Sequence, residues 1–415
     1  MNMSFIFNNK KKFLFGGLTF VICGVIVYFI SPIFFTEIKY NSPLAVSSST
    51  LTPDSNIAQN EKPTDIVMVP ISAQESDLQI PITHIETPEH VKAVYMSAWV
   101  AGSVKYRDPI IKLVDDTELN AVVIDIKDST GRISFYIANP EIQKYGSIER
   151  RIPDIRALIS ELHKKNIYVI GRIASFQDPY MTKIKPEWSI TRKSDGGVWK
   201  DKKGLSYLDP TNKEVDKYIV DIALGAYDSG FDEINFDYIR YPSDGDMKDI
   251  NYNLAPGKTR SDNIEDFFKY LSQEVKKDKN IPISADLFGL TTEATDDMGI
   301  GQIWEKTIPY FDYICPMVYP SHYAPGKDGY KNPALYPYEI INTALISAIT
   351  RTKALNQDIN KIRPWLQDFN LGAIYNEGMV RAEIKAVYDN GLSSWMLWDP
   401  NNKYTPSALE LETMN

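Results

Sequence analysis

The chain is short of the residues that build metal and redox sites. Of its 415 residues only two are cysteines, Cys23 and Cys315, and only four are histidines. Cys23 lies in a long apolar run far from Cys315, so the pair makes neither a disulfide framework nor a thiolate metal site. His84, His90, His163 and His322 form no H-x-H or H-E-x-x-H spacing that would aim two imidazoles at one zinc ion. Positive charge is also in deficit: 45 Lys and Arg against 54 Asp and Glu give a formal net charge of −9. Phosphate neutralisation needs a basic face, so nucleic acid is not an expected partner.

What the chain does have is apolar residues, 43% of the total, enough for a substantial core. One uncharged run, residues 13–35, is long enough to cross the roughly 30 Å of a bilayer's hydrocarbon. It follows Lys10, Lys11 and Lys12. The positive-inside rule then makes residues 1–12 a basic cytoplasmic tail and 13–35 a single-pass signal-anchor in the cell membrane, with everything downstream extracytoplasmic. Cleavage of the segment would instead leave a secreted protein, but the run exceeds a signal peptide's apolar region and lacks an A-x-A site. Residues 36–88, rich in Ser, Thr and Pro in their central part, read as a disordered linker, and residues 89–415 as the folded domain.

Past Glu89, short β-branched or aromatic runs alternate with helical patterns, the signature of a parallel sheet of βα units. Eight runs qualify: residues 91–99, 121–128, 167–176, 233–241, 283–289, 313–319, 362–369 and 394–400. Eight such units predict a (β/α)8 TIM barrel, of fold class α/β. Segments leading into strands are short, whereas 129–150, 177–212, 241–261 and 320–337 leave them as long loops. The long loops therefore share the C-terminal mouth, where barrel enzymes assemble their sites.

Polar residues at the strand ends are the candidates for chemistry. In the fourth run Ile234, Phe236 and Tyr238 share one face, suited to packing on helices, and Asn235 and Asp237 share the other. By the same alternation Asp286 lies with Ser284, and Asp125 with Lys127, so three acids and a lysine are expected in one mouth. Asp232 and Glu233, near the start of the run, read as solvated or capping groups. Two carboxylates among aromatics suffice for glycosidic cleavage: one protonated acid for the leaving oxygen and one nucleophile or base, without metal or cofactor. Asp237 and Asp286 are the expected catalytic pair, with Asp128 and Asp368 as substitutes for the acid. Asp125, Lys127, Asp128, Asn235, Arg240, Tyr319, His322 and Asp368 are expected to contact a polysaccharide or oligosaccharide substrate. Trp99 and Trp398, at strand ends, and Trp188 and Trp199, in the long third loop, are the expected sugar platforms.

The motifs V-I-D-I-K-D-S-T-G, F-D-E-I-N-F-D-Y-I-R-Y-P, S-A-D-L-F-G and C-P-M-V-Y-P-S-H-Y resemble the glycoside hydrolase-like family catalogued as domain of unknown function 4015, over nearly all of residues 92–410. The resemblance implies a glycosidase-like barrel in bacterial proteins that are often membrane-anchored or secreted. It carries no substrate. Chitinase-like family 18 enzymes have D-x-x-D-x-D-x-E on their fourth strand; Asp232, Asn235 and Asp237 follow that pattern loosely, but Ile239 stands in the place of the acid. Placement of Asp237 and Asp286 is closer to the alpha-amylase-like enzymes, with Asp in place of their fifth-strand Glu. Two readings result: a glycoside hydrolase, or a membrane-tethered barrel that binds glycan without cutting it.

Overall fold

The computed structural model describes residues 77–411. The expected tail, membrane span and most of the linker lie outside the described residues. Among the described residues no helix is long and apolar enough to cross a membrane.

Eight parallel strands close into a barrel in simple chain order: Lys92–Met96, Ala121–Lys127, Tyr168–Ala174, Glu233–Asp237, Ile283–Phe288, Tyr313–Met317, Trp365–Gln367 and Trp395–Trp398. The first pairs with the eighth as well as with the second. All eight expected runs are strands, each shorter than its apolar pattern because pairing stops where the chain turns into a loop. Alternation along the strands builds two apolar layers. Val94, Val122, Ile124, Val169, Ile234, Phe236, Leu287 and Leu397 face outward under the helices, while Ala93, Tyr95, Val123, Tyr168, Ile170, Trp365 and Met396 fill the barrel.

The helical ring is uneven. Long helices Val104–Asp116, Ile155–Lys164, Lys213–Tyr227, Arg260–Lys276, Pro337–Ala354 and Glu377–Asp389 cover six positions. Ile155, Leu158, Ile159 and Leu162 show why the second forms: a 3.6-residue stripe is buried on one face. Arg260–Lys276 begins with a full capping box between Thr259 and Asp262. Between the fifth and sixth strands the short turns Gly289–Thr292 and Trp304–Thr307 stand in for a long helix.

The packed chain begins upstream of Glu89. Residues 77–88 run under the barrel's N-terminal end: the Ile85 amide donates to Oδ1 of Asp232 at 2.9 Å, Thr87 bonds the Tyr168 hydroxyl, and His84 stacks on Tyr227 at 3.9 Å. Asp232 thus ties this strap to the fourth strand and also accepts from His163 and the Val169 amide. It is an internal knot rather than a solvated group. At the opposite end two long loops knit together, Thr191–Arg192 pairing antiparallel with Ile250–Asn251. That clasp buries Trp199, whose indole N–H donates to the Asp246 carbonyl, while Trp188 is buried against Tyr145 and Tyr218. Gly245, at φ +112°, lies flat on the Trp199 ring, where a Cβ would come within 2.6 Å. Trp188 and Trp199 therefore hold the loops and are not open to a sugar face.

Candidate active site

The mouth is organised around a residue that strand-end reasoning passed over, Arg172 in the third strand. Alternation with Tyr168 and Ile170 turns it inward, and register sets it between Asp125 on the second strand and Asn235 on the fourth. Nη1 of Arg172 donates to Asp125 Oδ1 at 2.7 Å; Nε and Nη2 donate to Asp237 Oδ2 at 3.1 and 2.5 Å. Asp286 Oδ2 lies 3.9 Å from the same Nε. One guanidinium thus gathers the three acids. The signal was present in the sequence as a lone arginine at an inward position of an otherwise apolar strand.

Three carboxyls against one cation in a low-dielectric site cannot all ionise without penalty. Burial, and then the Asp237 charge beside it, push Asp286 up to about 8, so it keeps its proton at neutral pH. Burial also raises Asp125, against the pull of Arg172 and of the Tyr95 hydroxyl, which donates to Asp125 Oδ2 at 2.6 Å. Arg172 is buried, which disfavours its charge, but Asp237 and Asp125 outweigh burial and hold it firmly protonated. Asp237 sits at a point of backbone strain. Tyr238, directly after it, has φ +51°, rare for a bulky side chain, and its amide donates to Asp237 Oδ1 at 2.5 Å. This left-handed step ends the strand, so Tyr238 does not continue the outward row of Ile234 and Phe236.

Aromatic rings line the same space. Trp398 stacks on Tyr95 at 4.0 Å and lies 5.1 Å from the Arg172 guanidinium, with Trp365 edge-on. Tyr319 meets His322 and Phe369 in edge contacts. Burial lowers His322 to about 4, which leaves a neutral imidazole whose Nδ1 pairs with the Ser321 hydroxyl.

Other expected contacts are placed elsewhere. Lys127 does not pair with Asp125: the second strand bulges between them, and Lys127 turns into a sealed ion pair with Asp178 at 3.0 Å, bonded also to the Ala174 carbonyl. A fully buried ammonium cannot reach a sugar. Asn235 is likewise buried beneath the mouth, donating to Ser284 and Asp286. Asp128 is held by Arg151 and Thr130 on the loop after the second strand. Trp99 is not at a strand end, because Ser97 caps a short helix, Ala98–Ala101. It stands 61% exposed on the rim with the Arg151 guanidinium 4.7 Å from its ring. Both oxygens of Asp368 accept from Thr405, and burial still raises it to about 6. Arg240 lies over the Phe288 ring at 4.3 Å and donates to the Tyr241 carbonyl. Among the described residues no group of three or more His, Cys, Asp or Glu is arranged to hold a metal ion.

Comparison with solved structures gives the same architecture. The glycoside hydrolase domain of PgaB (BpsB) from Bordetella bronchiseptica aligns with a TM-score of 0.56 at 14% identity, over 78% of this chain and all (100%) of that one. Alpha-L-fucosidase isoenzyme 2 from Paenibacillus thiaminolyticus aligns at 0.50 and 12%, over 77% of this chain and 47% of its own. A hypothetical protein from Ruminiclostridium thermocellum is 32% identical over 50% of this chain and 98% of its own, with a TM-score of 0.43. No curated protein matches the chain significantly. At the level of sequence families, residues 93–404 match the model described as "Putative glycosyl hydrolase domain", and the chain belongs to that family, domain of unknown function 4015.

Proposed function

We propose that the protein is an extracytoplasmic glycoside hydrolase that cleaves a cell-wall or environmental polysaccharide with two carboxyl groups, held at the cell membrane by residues 13–35. The observation that carries this reading is the unlike setting of two neighbouring acids: Asp286 keeps a proton up to about pH 8, while Asp237 is ion-paired with Arg172. Pushing a pair of titratable groups apart is how a site obtains an acid and a base at one pH.

In this mechanism the Asp286 proton passes to the glycosidic oxygen as the C–O bond breaks. Asp237 attacks the anomeric carbon, or takes a proton from the water that does. Arg172 fixes the Asp237 carboxylate. Trp398, backed by the stacked Tyr95 ring, offers an apolar wall to a sugar's C–H face, and Tyr319 and His322 border it. The chemistry calls on neither metal nor cofactor.

Incubating the purified full chain with a polysaccharide panel and measuring new reducing ends tests the proposal. Asp237→Asn should lower turnover by about 100- to 10,000-fold in a variant whose circular dichroism shows it still folds. Undiminished turnover would remove Asp237 from the mechanism. Glycan binding without product by the unmodified chain would support the non-catalytic barrel instead.

A further inference from the structure

The two oxygens of the Asp286 carboxyl have different surroundings. Oδ1 accepts from Nδ2 of Asn235 at 2.9 Å and from Nε1 of Trp365 at 2.8 Å. Both atoms only donate. Oδ2 instead faces Nε of Arg172 at 3.9 Å, the nitrogen that also bonds Asp237. A carboxyl oxygen that accepts two N–H bonds has its lone pairs engaged, and a proton added there would point into a donor. We propose that Asn235 and Trp365 are positioning residues, which keep the Asp286 proton on Oδ2, the oxygen turned toward Arg172 and Asp237.

The arrangement is anchored from below. Asn235 pairs in register with Ser284, two residues before Asp286, and its amide also donates to the Ser284 hydroxyl at 3.0 Å. Trp365 is wedged edge-on against Trp398, which fixes the direction of its indole N–H. Neither side chain reaches solvent. Their contribution is orientation: the acid's proton is presented on the side where the second carboxylate stands, so donor and nucleophile address one bond. This inference rests on reading Asp286 as the acid, but its test does not need a substrate.

Indole N–H resonances of the full chain, followed by NMR from about pH 6 to 10, read the Asp286 carboxyl directly through Trp365. The Trp365 proton should shift with a midpoint near 8, and Asp286→Asn should flatten that curve. Trp365→Phe removes a donor that favours the ionised form. The midpoint of Asp286 itself, read from its labelled carboxyl carbon, should then rise by about one pH unit, the worth of a hydrogen bond to a charged group. A Trp365 proton that does not titrate in the unmodified chain, or an Asp286 midpoint unmoved in a folded Trp365→Phe variant, overturns the inference. Full hydrolysis by Asp286→Asn would overturn the acid role, and the NMR curves would still report whether the Trp365 donor is coupled to the Asp286 carboxyl.

Discussion

Two arginine–carboxylate clusters sit inside the same barrel, one at each end. At the N-terminal end Arg363 bonds both oxygens of Glu233, at 2.9 and 3.1 Å, and lies 3.8 Å from the Tyr313 ring. Both side chains are fully buried and the charges are matched one to one. At the C-terminal end Arg172 faces Asp125, Asp237 and Asp286, beside a strained Tyr238. The lower pair is closed and balanced, as a structural tie should be. The upper one carries an excess of acid that burial can hold only by keeping a proton on Asp286. Residues of the third and fourth strands serve both clusters, Tyr168 and Glu233 below and Arg172 and Asp237 above, so position along a strand separates support from chemistry.

Breaking each cluster should have opposite consequences. Arg363→Met leaves Glu233 buried without its cation and should cost about 3–5 kcal/mol in urea denaturation; a cost below about 1 kcal/mol would erase the distinction between the two ends. Next in size is Asp232→Ala, which removes the acceptor for the Ile85 and Val169 amides and should lower stability by about 1–3 kcal/mol. Hydrogen exchange at residues 83–88 should rise in that variant, and unchanged protection would show the strap to be held by other contacts.

Asp286→Asn sharpens the comparison through pH. The folded pKa, near 8, lies above the ordinary carboxyl value of about 4, so between these limits the folded state binds more protons than the unfolded chain. Stability must therefore fall as pH rises across that window. The variant should lose the part of this decline that Asp286 supplies, keeping that of groups such as Asp368 and Asp216, both raised to about 6. It should melt higher than the parent at pH 8 even as it loses hydrolysis; a parent whose melting temperature is flat from about pH 6 to 8 would contradict the shifted acid. The smallest effect is expected at Trp99, whose exposed ring supports no core. Trp99→Ala should change stability by under about 0.5 kcal/mol, and if the rim binds sugar, KM should rise with kcat unchanged.

Much of the barrel could be read in advance because its strands are written locally. A-V-V-I-D-I is a short β-branched run and F-D-E-I-N-F-D alternates with period two, and the long loops on one side of each run locate the mouth. Asp237 and Asp286 were placed by that alternation alone. Lys127 was misplaced because one bulged residue after Asp125 resets the phase, and nothing in the local pattern marks it. Glu233 read as a solvated strand start because its partner Arg363 is 130 residues away. Trp188 and Trp199 read as open platforms because the residues that cover them are distant in sequence: Tyr145 and Tyr218 over Trp188, and Gly245 and Asp246, brought in by the clasp, over Trp199.

By itself, then, the sequence determined which segments become strands, which face of each turns inward, and that acids collect at one end of the barrel. These follow from periodicity, which operates between neighbouring residues. Only the tertiary structure decided which charges meet. Closing eight strands in register set Arg172 among three carboxyls, paired Lys127 with Asp178, and placed two donors on one oxygen of Asp286. A buried charge takes its ionisation state from neighbours brought together by strand register, and that register exists only once the barrel has closed.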